Sequence, residues 1–399
     1  VKQRLLNTSA IALAVGAALP ASAQEWDMDW GGYHSAHVAY ADVKTTNILA
    51  GTDFDGVDVY TEAEIQFTPS VTLDNGMTFG VNVQMESTNN GGGAVGIDET
   101  YLEVSSDTLG KVIIGNENSA GYKMTVSAPQ VDGSIWINSP SVSGFIPLSI
   151  SAGGNSPYLF RDVGISAWAE VLGNNDVPRI SYFTPSFNGL TVGVSYAATT
   201  DRPGAARAAV AGGGNNAGNN FGVDRNAGVS DIFDVAAAYS QSFNGFDVDL
   251  SARYGTANSN VAANGDPSLW VLGASFGYAG FTVGGSYGEN SNGGFRNFNS
   301  EGWALGATYD MAGPWLFGVD TYQGEYNGVN GTSDKAEYEA YQIIANRELG
   351  AGVSWAVYGV YVQTTVNAEL GGSFSGVPGG LANSEVEGYL VGTSINLTF

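Results

Sequence analysis

The stretch that most constrains this chain is its last, EGYLVGTSINLTF at 387–399, where Tyr389, Val391, Ile395, Leu397 and Phe399 alternate with Gly392, Ser394, Asn396 and Thr398. Successive strand residues point to opposite faces, so this spacing makes a ribbon with one apolar and one polar face. The same alternation recurs upstream. In VYTEAEIQFTPSVTL, residues 59–73, Ile65, Phe67, Val71 and Leu73 share one face while Glu62, Glu64 and Gln66 share the other. After Asp74-Asn75-Gly76, Phe79, Val81, Val83 and Met85 alternate with Asn82, Gln84 and Glu86. A soluble sheet would bury the apolar face over a core, yet the chain has too few wholly apolar segments to fill one. A closed sheet in lipid, polar inside and apolar outside, satisfies the pattern. The expected fold class is all-β, a transmembrane antiparallel β-barrel.

The turns supply the strand count. Short turns fall at Asn75-Gly76, Asp107–Gly110, Asn188-Gly189, Asn244-Gly245, Ala279-Gly280, Ala312-Gly313 and near Arg347–Gly350. Asn-Gly between alternating runs is a hairpin signal. Phe187 and Leu190, Phe243 and Phe246, Tyr278 and Phe281, Met311 and Trp315 bracket four of them, as amphipathic rings do where strands leave lipid. Eight longer segments separate the hairpins: about 43–56, 87–98, 117–176, 197–230, 256–267, 288–300, 323–336 and 365–386. Seven turns and eight loops predict 16 strands.

The segment 117–176 is much longer than a hairpin needs. Pro129, Pro140, Pro147 and Pro157 disfavour central strand pairing there. It nonetheless carries Ile135, Trp136, Ile137, Phe145, Ile146, Leu148, Tyr158, Leu159, Phe160 and Trp168, too many apolar groups for an exposed loop. Inside a barrel, the surface available to cover them is the inner wall.

Residues 1–23 read as a secretory signal peptide: Lys2 and Arg4, an apolar Ile11–Leu19, then Ala21-Ser22-Ala23 as cleavage site. Residues 24–399 are then one barrel domain. Lys2 and Arg4 belong to the leader, which leaves 12 of the 14 bases against 39 acids. Such a charge repels phosphate, so nucleic acid is not an expected partner and cations are. No cysteine is present, so no disulfide supports the fold.

Four stretches resemble the Gram-negative porin family, in particular its alphaproteobacterial general-diffusion branch. TLGKVIIGNENSA at 108–120 is similar to the strand before the porins' constriction loop, and RISYFTPSFNGLTVGVSYA at 179–197 to the hairpin after it. FTPSVTLDNGMTFGVNVQME at 67–86 resembles an early hairpin, and the terminal VGTSINLTF, ending on Phe399, the barrel assembly signal. The resemblance implies a trimeric outer-membrane pore in lipid and lipopolysaccharide, open to small hydrophilic solutes. It also implies that the third long loop folds inward and sets its acids opposite wall bases.

In a barrel of this size, charges lining the lumen set selectivity. From the loop, the expected constriction acids are Asp132, Asp162 and Glu170. Parity places Arg179, Arg253, Glu62 and Glu64 on the inner wall. The excess of acids predicts a preference for cations. Acid and amide oxygens in loops also suit calcium, which the porin resemblance places near the constriction. Two Gly-x-Ser-x-Gly matches, around Ser275 and Ser286, lie on alternating strands rather than on a strand-turn-helix. The only histidines, His34 and His37, precede both and point to opposite faces of one strand. Catalysis is therefore not expected. The residues alone leave open a substrate-specific channel, a plugged structural or adhesive barrel, and a secreted calcium-binding β protein.

Overall fold

The computed structural model of the chain describes residues 25–46, 53–87, 96–137, 142, 144–146, 170–199, 228–295, 298–328, 335–366 and 384–399. The strand segments are β1 (Trp30–Thr46), β2 (Gly56–Phe67), β3 (Ser70–Thr72), β4 (Thr78–Glu86), β5 (Ile97–Ser106) and β6 (Gly110–Glu117). They continue as β7 (Val177–Phe183), β8 (Leu190–Thr199), β9 (Val229–Phe243), β10 (Phe246–Ser259), β11 (Ser268–Tyr278) and β12 (Phe281–Ser291). The last are β13 (Phe298–Asp310), β14 (Trp315–Gly328), β15 (Lys335–Gly350), β16 (Val353–Val366) and β17 (Ser384–Thr398).

Segments β2 and β3 form one stave, because Phe67 lies opposite Val83 and Ser70 opposite Gly80 on the same neighbour, β4. Pro69 stands at the break; it has no N–H to give the ladder, but its carbonyl accepts from the Val81 N–H at 3.0 Å. The wall therefore has sixteen staves, all antiparallel. β1 pairs with β2 on one side and β17 on the other, from Tyr33 opposite Thr398 to Thr46 opposite Glu385, so the sheet closes without an edge. At the seam the backbone of Phe399 exchanges hydrogen bonds with Gly32, at 3.1 and 3.0 Å.

The hairpins at Asn188-Gly189, Asn244-Gly245 and Ala279-Gly280 each hold two successive residues at positive φ, the twist that matches right-handed strands. The last turn lies at Ala351-Gly352, slightly beyond its expected place. At the other rim, strands run further than expected: β1 to Thr46, β10 to Ser259 and β14 to Gly328. Pairing there rests on backbone bonds, so the ladder continues through Glu, Gln and Asn after the aliphatic residues stop.

Alternation divides the two faces. Val59, Leu272, Leu305, Val319, Ile343 and Val391 are outward and exposed, the last at 69 %. A continuous exposed apolar band of this kind is a lipid-facing surface. Aromatic rings border it at the turn rim, where Phe281 stacks on Tyr309 at 4.2 Å. Towards the loop rim, Trp270 meets Tyr287 at 5.4 Å and Tyr361 meets Tyr389 at 4.9 Å. The inner face differs from a uniformly polar lining. From β13 through β17 to β1 it is largely apolar, with Ala340, Ala356, Val360 and Leu390 buried. The long loop after β6 covers them.

Candidate functional site

That loop enters the lumen through a short helix, α1 (Ala120–Met124), whose first turn is built to face the wall. Ser119 caps it, its Oγ accepting from the Tyr122 N–H at 3.1 Å. The first N–H groups of a helix have no partner within it. Here the wall supplies them: Ala120 donates to Ser195 Oγ at 2.6 Å and Gly121 to Asp234 Oδ1 at 2.7 Å. Glu170, on the returning end of the loop, accepts from both the N–H and the hydroxyl of Ser119, at 2.7 and 2.8 Å.

Arg253 ties these pieces to the barrel. Its Nη2 lies 2.7 Å from Asp234 Oδ2 and 3.1 Å from Glu170 Oε2. Arg179 Nη1 lies 3.9 Å from Glu170 Oε1 and its Nη2 donates to the Asn174 carbonyl. The two guanidinium and two carboxylate groups balance, which is what allows four charges to remain buried. Beside them Lys123 reaches Glu117 at 2.7 Å, and Asn118 donates to Glu99 at 2.7 Å. Burial pulls the Lys123 ammonium down, the carboxylates of Glu117 and Glu99 push it up, and the carboxylates prevail.

Beyond α1 the loop runs across the strands. The Val126 N–H donates to Ser251 Oγ on β10 at 2.8 Å, and Ser127 Oγ pairs with Ser286 Oγ on β12 at 2.8 Å. Asn346 on β15 donates to the Asp132 carbonyl at 2.7 Å, and Ser394 on β17 to the Gly133 carbonyl at 3.0 Å. From Val131 onward the contacts are mainly apolar, beside hydrogen bonds from the Ile135 N–H to Gln342 and from the Tyr338 hydroxyl to the Ile137 carbonyl. Val131, Ile135, Ile137, Val142, Phe145 and Ile146 join one buried cluster with the inner wall of β13–β17 and β1. Phe145 meets Tyr60 of β2 edge-on at 5.9 Å. Thus a single loop lies against the inner wall from β8 round to β2.

The sequence-predicted residues divide into three groups. Asp132 is exposed, Glu62 is half-buried, and Glu64 is buried on the inner wall with Gln66 donating to it at 2.6 Å. Asp162 lies outside the described residues. Arg179, Arg253 and Glu170 do meet, but beneath the loop: the guanidinium side chains are 1 % and 2 % exposed, so neither borders water as a pore-wall base would. The reason is that Glu170 reaches the bases directly instead of facing them across an aqueous gap. Phe399, by contrast, is 67 % exposed on the outer face.

Sequence reasoning missed Asp234, Ser195 and Ser251. Their signal was inward parity next to Arg253, on strands whose inward faces also hold small residues such as Gly193, Ala197, Ala236 and Gly255. The serines of the two Gly-x-Ser-x-Gly stretches both point inward, and Ser286 is the partner of Ser127. For a metal, one group of carboxylates among the described residues is suited: Glu64, Glu86 and Asp98 have oxygens within 4.8 Å of one another. Oxygen-only donors fit a hard cation.

Of the bases whose side chains are described, Lys111, Lys123, Arg179 and Arg253 face inward, and each is in an ion pair. Lys44 and Arg347 face outward, over the rings of Tyr389 and Trp315. Partly exposed carboxylates on the inner side include Glu62, Glu86, Asp98, Asp132 and Asp249.

Comparison with known proteins agrees with this architecture. A family model described as Gram-negative porin matches residues 9–369. No curated protein matches the sequence. Among solved structures, an anion-selective porin from Comamonas acidovorans is 16 % identical, with a TM-score of 0.56 over 94 % of this chain and 100 % of that one. OmpT, an outer membrane protein of Vibrio cholerae in its trimer form, is 10 % identical, with a TM-score of 0.58 over 94 % and 99 %. The outer membrane channel DcaP of Acinetobacter baumannii is 12 % identical, with a TM-score of 0.56 over 94 % and 97 %. At these identities the likeness is one of fold.

Proposed function

Because the chain belongs to the Gram-negative porin family, whose members and fold are those of outer-membrane channels rather than enzymes, we propose that it forms a water-filled pore for passive, weakly cation-selective diffusion of ions and small hydrophilic solutes. The observation that carries the cation preference is the sequestering of the bases. Every described inward base is neutralised by a carboxylate, whereas Glu62, Glu86, Asp98 and Asp132 keep contact with the lumen. Low-dielectric walls focus the field of the remaining acids and concentrate counter-ions. No residue takes part in covalent chemistry; the channel works by excluding what the loop leaves no room for.

The mature protein, cut after Ala23, assembles as a homotrimer in outer-membrane lipid and lipopolysaccharide, and the trimeric form of the OmpT likeness supports that reading. Where calcium binds, Glu64, Glu86 and Asp98 are its ligands. A planar bilayer tests both. Ohmic steps with a reversal potential favouring potassium over chloride are expected, and an anion-favouring potential would refute the assignment of the lining charges. Replacing calcium by a chelator in the same recording should alter the selectivity; an unchanged reversal potential argues against an ion at that trio.

A further inference from the structure

The glycines of the inner wall are placed where the loop crosses it. Gly193 on β8, Gly273 on β11, Gly284 on β12, Gly306 on β13 and Gly318 on β14 all have inward parity. At each, the space a side chain would fill is taken by the loop. A Cβ at Gly193 would sit 2.5 Å from Met124 Sδ, and one at Gly284 would sit 2.8 Å from the Ser127 carbonyl oxygen. At Gly306 the space is shared by Asp320 Cβ of the next strand at 3.0 Å and Ala128 Cβ of the loop at 3.1 Å, and at Gly318 the neighbour is Val131 Cγ2 at 2.6 Å. At Gly273 the Val126 carbonyl occupies the position itself. Two of these glycines belong to the Gly-x-Ser-x-Gly stretches that have no catalytic context.

The spacing agrees with a chain laid across strands. From Gly273 to Gly318 the loop crosses three strand intervals of ~4.8 Å, or ~14 Å. Five residues of extended chain, Val126 to Val131, reach ~16–18 Å. The loop is therefore stretched along the glycines.

We infer that this row of wall glycines is a seat that holds the constriction loop flush with the barrel and so sets the aperture, the glycines acting as positioning residues. The inference rests on the channel reading, since an aperture matters only if solutes pass. Any side chain on the seat lifts the loop into the lumen. Apolar carbons separate at ~3.5–4 Å, so a methyl group at Gly318 displaces Val131 by ~1 Å, and one at Gly273 displaces backbone by more. Contacts with a side chain and with backbone predict different rescue. Val131→Ala removes the Cγ2 that Gly318→Ala would strike, whereas no loop substitution removes the Val126 carbonyl.

The experiment compares Gly273→Ala, Gly318→Ala, Gly318→Ala with Val131→Ala, and Gly359→Ala. Gly359 faces outward and an added Cβ meets Ile343 at 3.5 Å, an ordinary contact. Single-channel steps and the size limit for neutral sugars read the aperture. Hydrogen exchange at the Val126 amide reads the seating without any conductance. Gly273→Ala and Gly318→Ala should lower both the step and the size limit and expose the Val126 amide; Gly359→Ala should change neither. Val131→Ala should restore Gly318→Ala and not Gly273→Ala, and if Gly273→Ala does not fold, the Gly318 pair carries the test. Wild-type steps and unchanged Val126 protection in Gly318→Ala would overturn the seat. A silent wild-type protein would instead refute the channel reading, and the exchange data would still decide the seat.

Discussion

The two halves of the inward loop are held by opposite kinds of physics. Its root, from Ser119 to Ser127, is fixed by directional bonds: helix N–H groups on wall acceptors and a buried set of two guanidinium and two carboxylate groups. Its far arm, from Val131 to Ile146, is held mainly by apolar burial against alanine, valine and tyrosine on β13–β17 and β1. Directional bonds specify one register and fail sharply when a partner is lost. Apolar contact is roughly proportional to area and tolerates small shape changes. The root therefore decides where the loop starts across the lumen, and the arm supplies area without dictating each atom.

The largest expected effect comes from breaking the root. Arg253→Ala leaves Asp234 buried without its guanidinium partner and Glu170 with Arg179 at the longer distance of 3.9 Å. Removing one partner of a buried ion pair costs about 3–5 kcal/mol. The urea midpoint of the protein refolded into vesicles should fall accordingly. The same variant should shift the reversal potential further towards cations, because one positive charge is removed and Asp234 loses its counter-charge. A wild-type midpoint would mean that the root does not fix the loop.

A smaller effect sharpens the comparison within the root. Ser195→Ala removes the acceptor of the Ala120 N–H, bonded at 2.6 Å, and a partner of Ser181 at 2.8 Å. The Ala120 N–H and the Ser181 hydroxyl stay buried, and an orphaned buried group costs about 1–3 kcal/mol. The expected loss is thus below that of Arg253→Ala, with reversal potential unchanged because no charge is removed. A selectivity change in Ser195→Ala would show that loop position, and not charge, governs the ion preference.

How much of this was legible beforehand follows from the range of each signal. Period-two alternation is local, so the sixteen staves and the outward placement of Val391 and Leu397 could be read directly. Inward parity for Arg179 and Arg253 was likewise local. Their burial was not, since it depends on the returning loop end folding Glu170 back over Arg253 and its neighbour Asp234. The apolar residues around Ile135 and Phe145 announced that the loop packs on something, but not that Ala340, Ala356 and Val360 form its counterpart. Those inward alanines and valines read as departures from a polar lining when taken strand by strand. The glycine seat was hidden for the same reason: each glycine is unremarkable until its neighbours across the sheet are known.

The smallest effect tests the arm. Ile135 is fully buried, and its N–H donates to Gln342 Oε1 at 3.1 Å, a bond that no change of the Ile135 side chain removes. Ile135→Val deletes one methyl group, which costs about 0.5–1.5 kcal/mol in a packed interior. If the arm is held by area, the loss should stay in that range and the conductance step should not move, because Ile137, Val142 and Ile146 keep the segment against the wall. A loss as large as that of Arg253→Ala would mean that packing at Ile135 is as register-setting as the ion pairs. The contrast between a directional root and a tolerant arm would then fail, and the whole loop would have to be treated as one rigid insert.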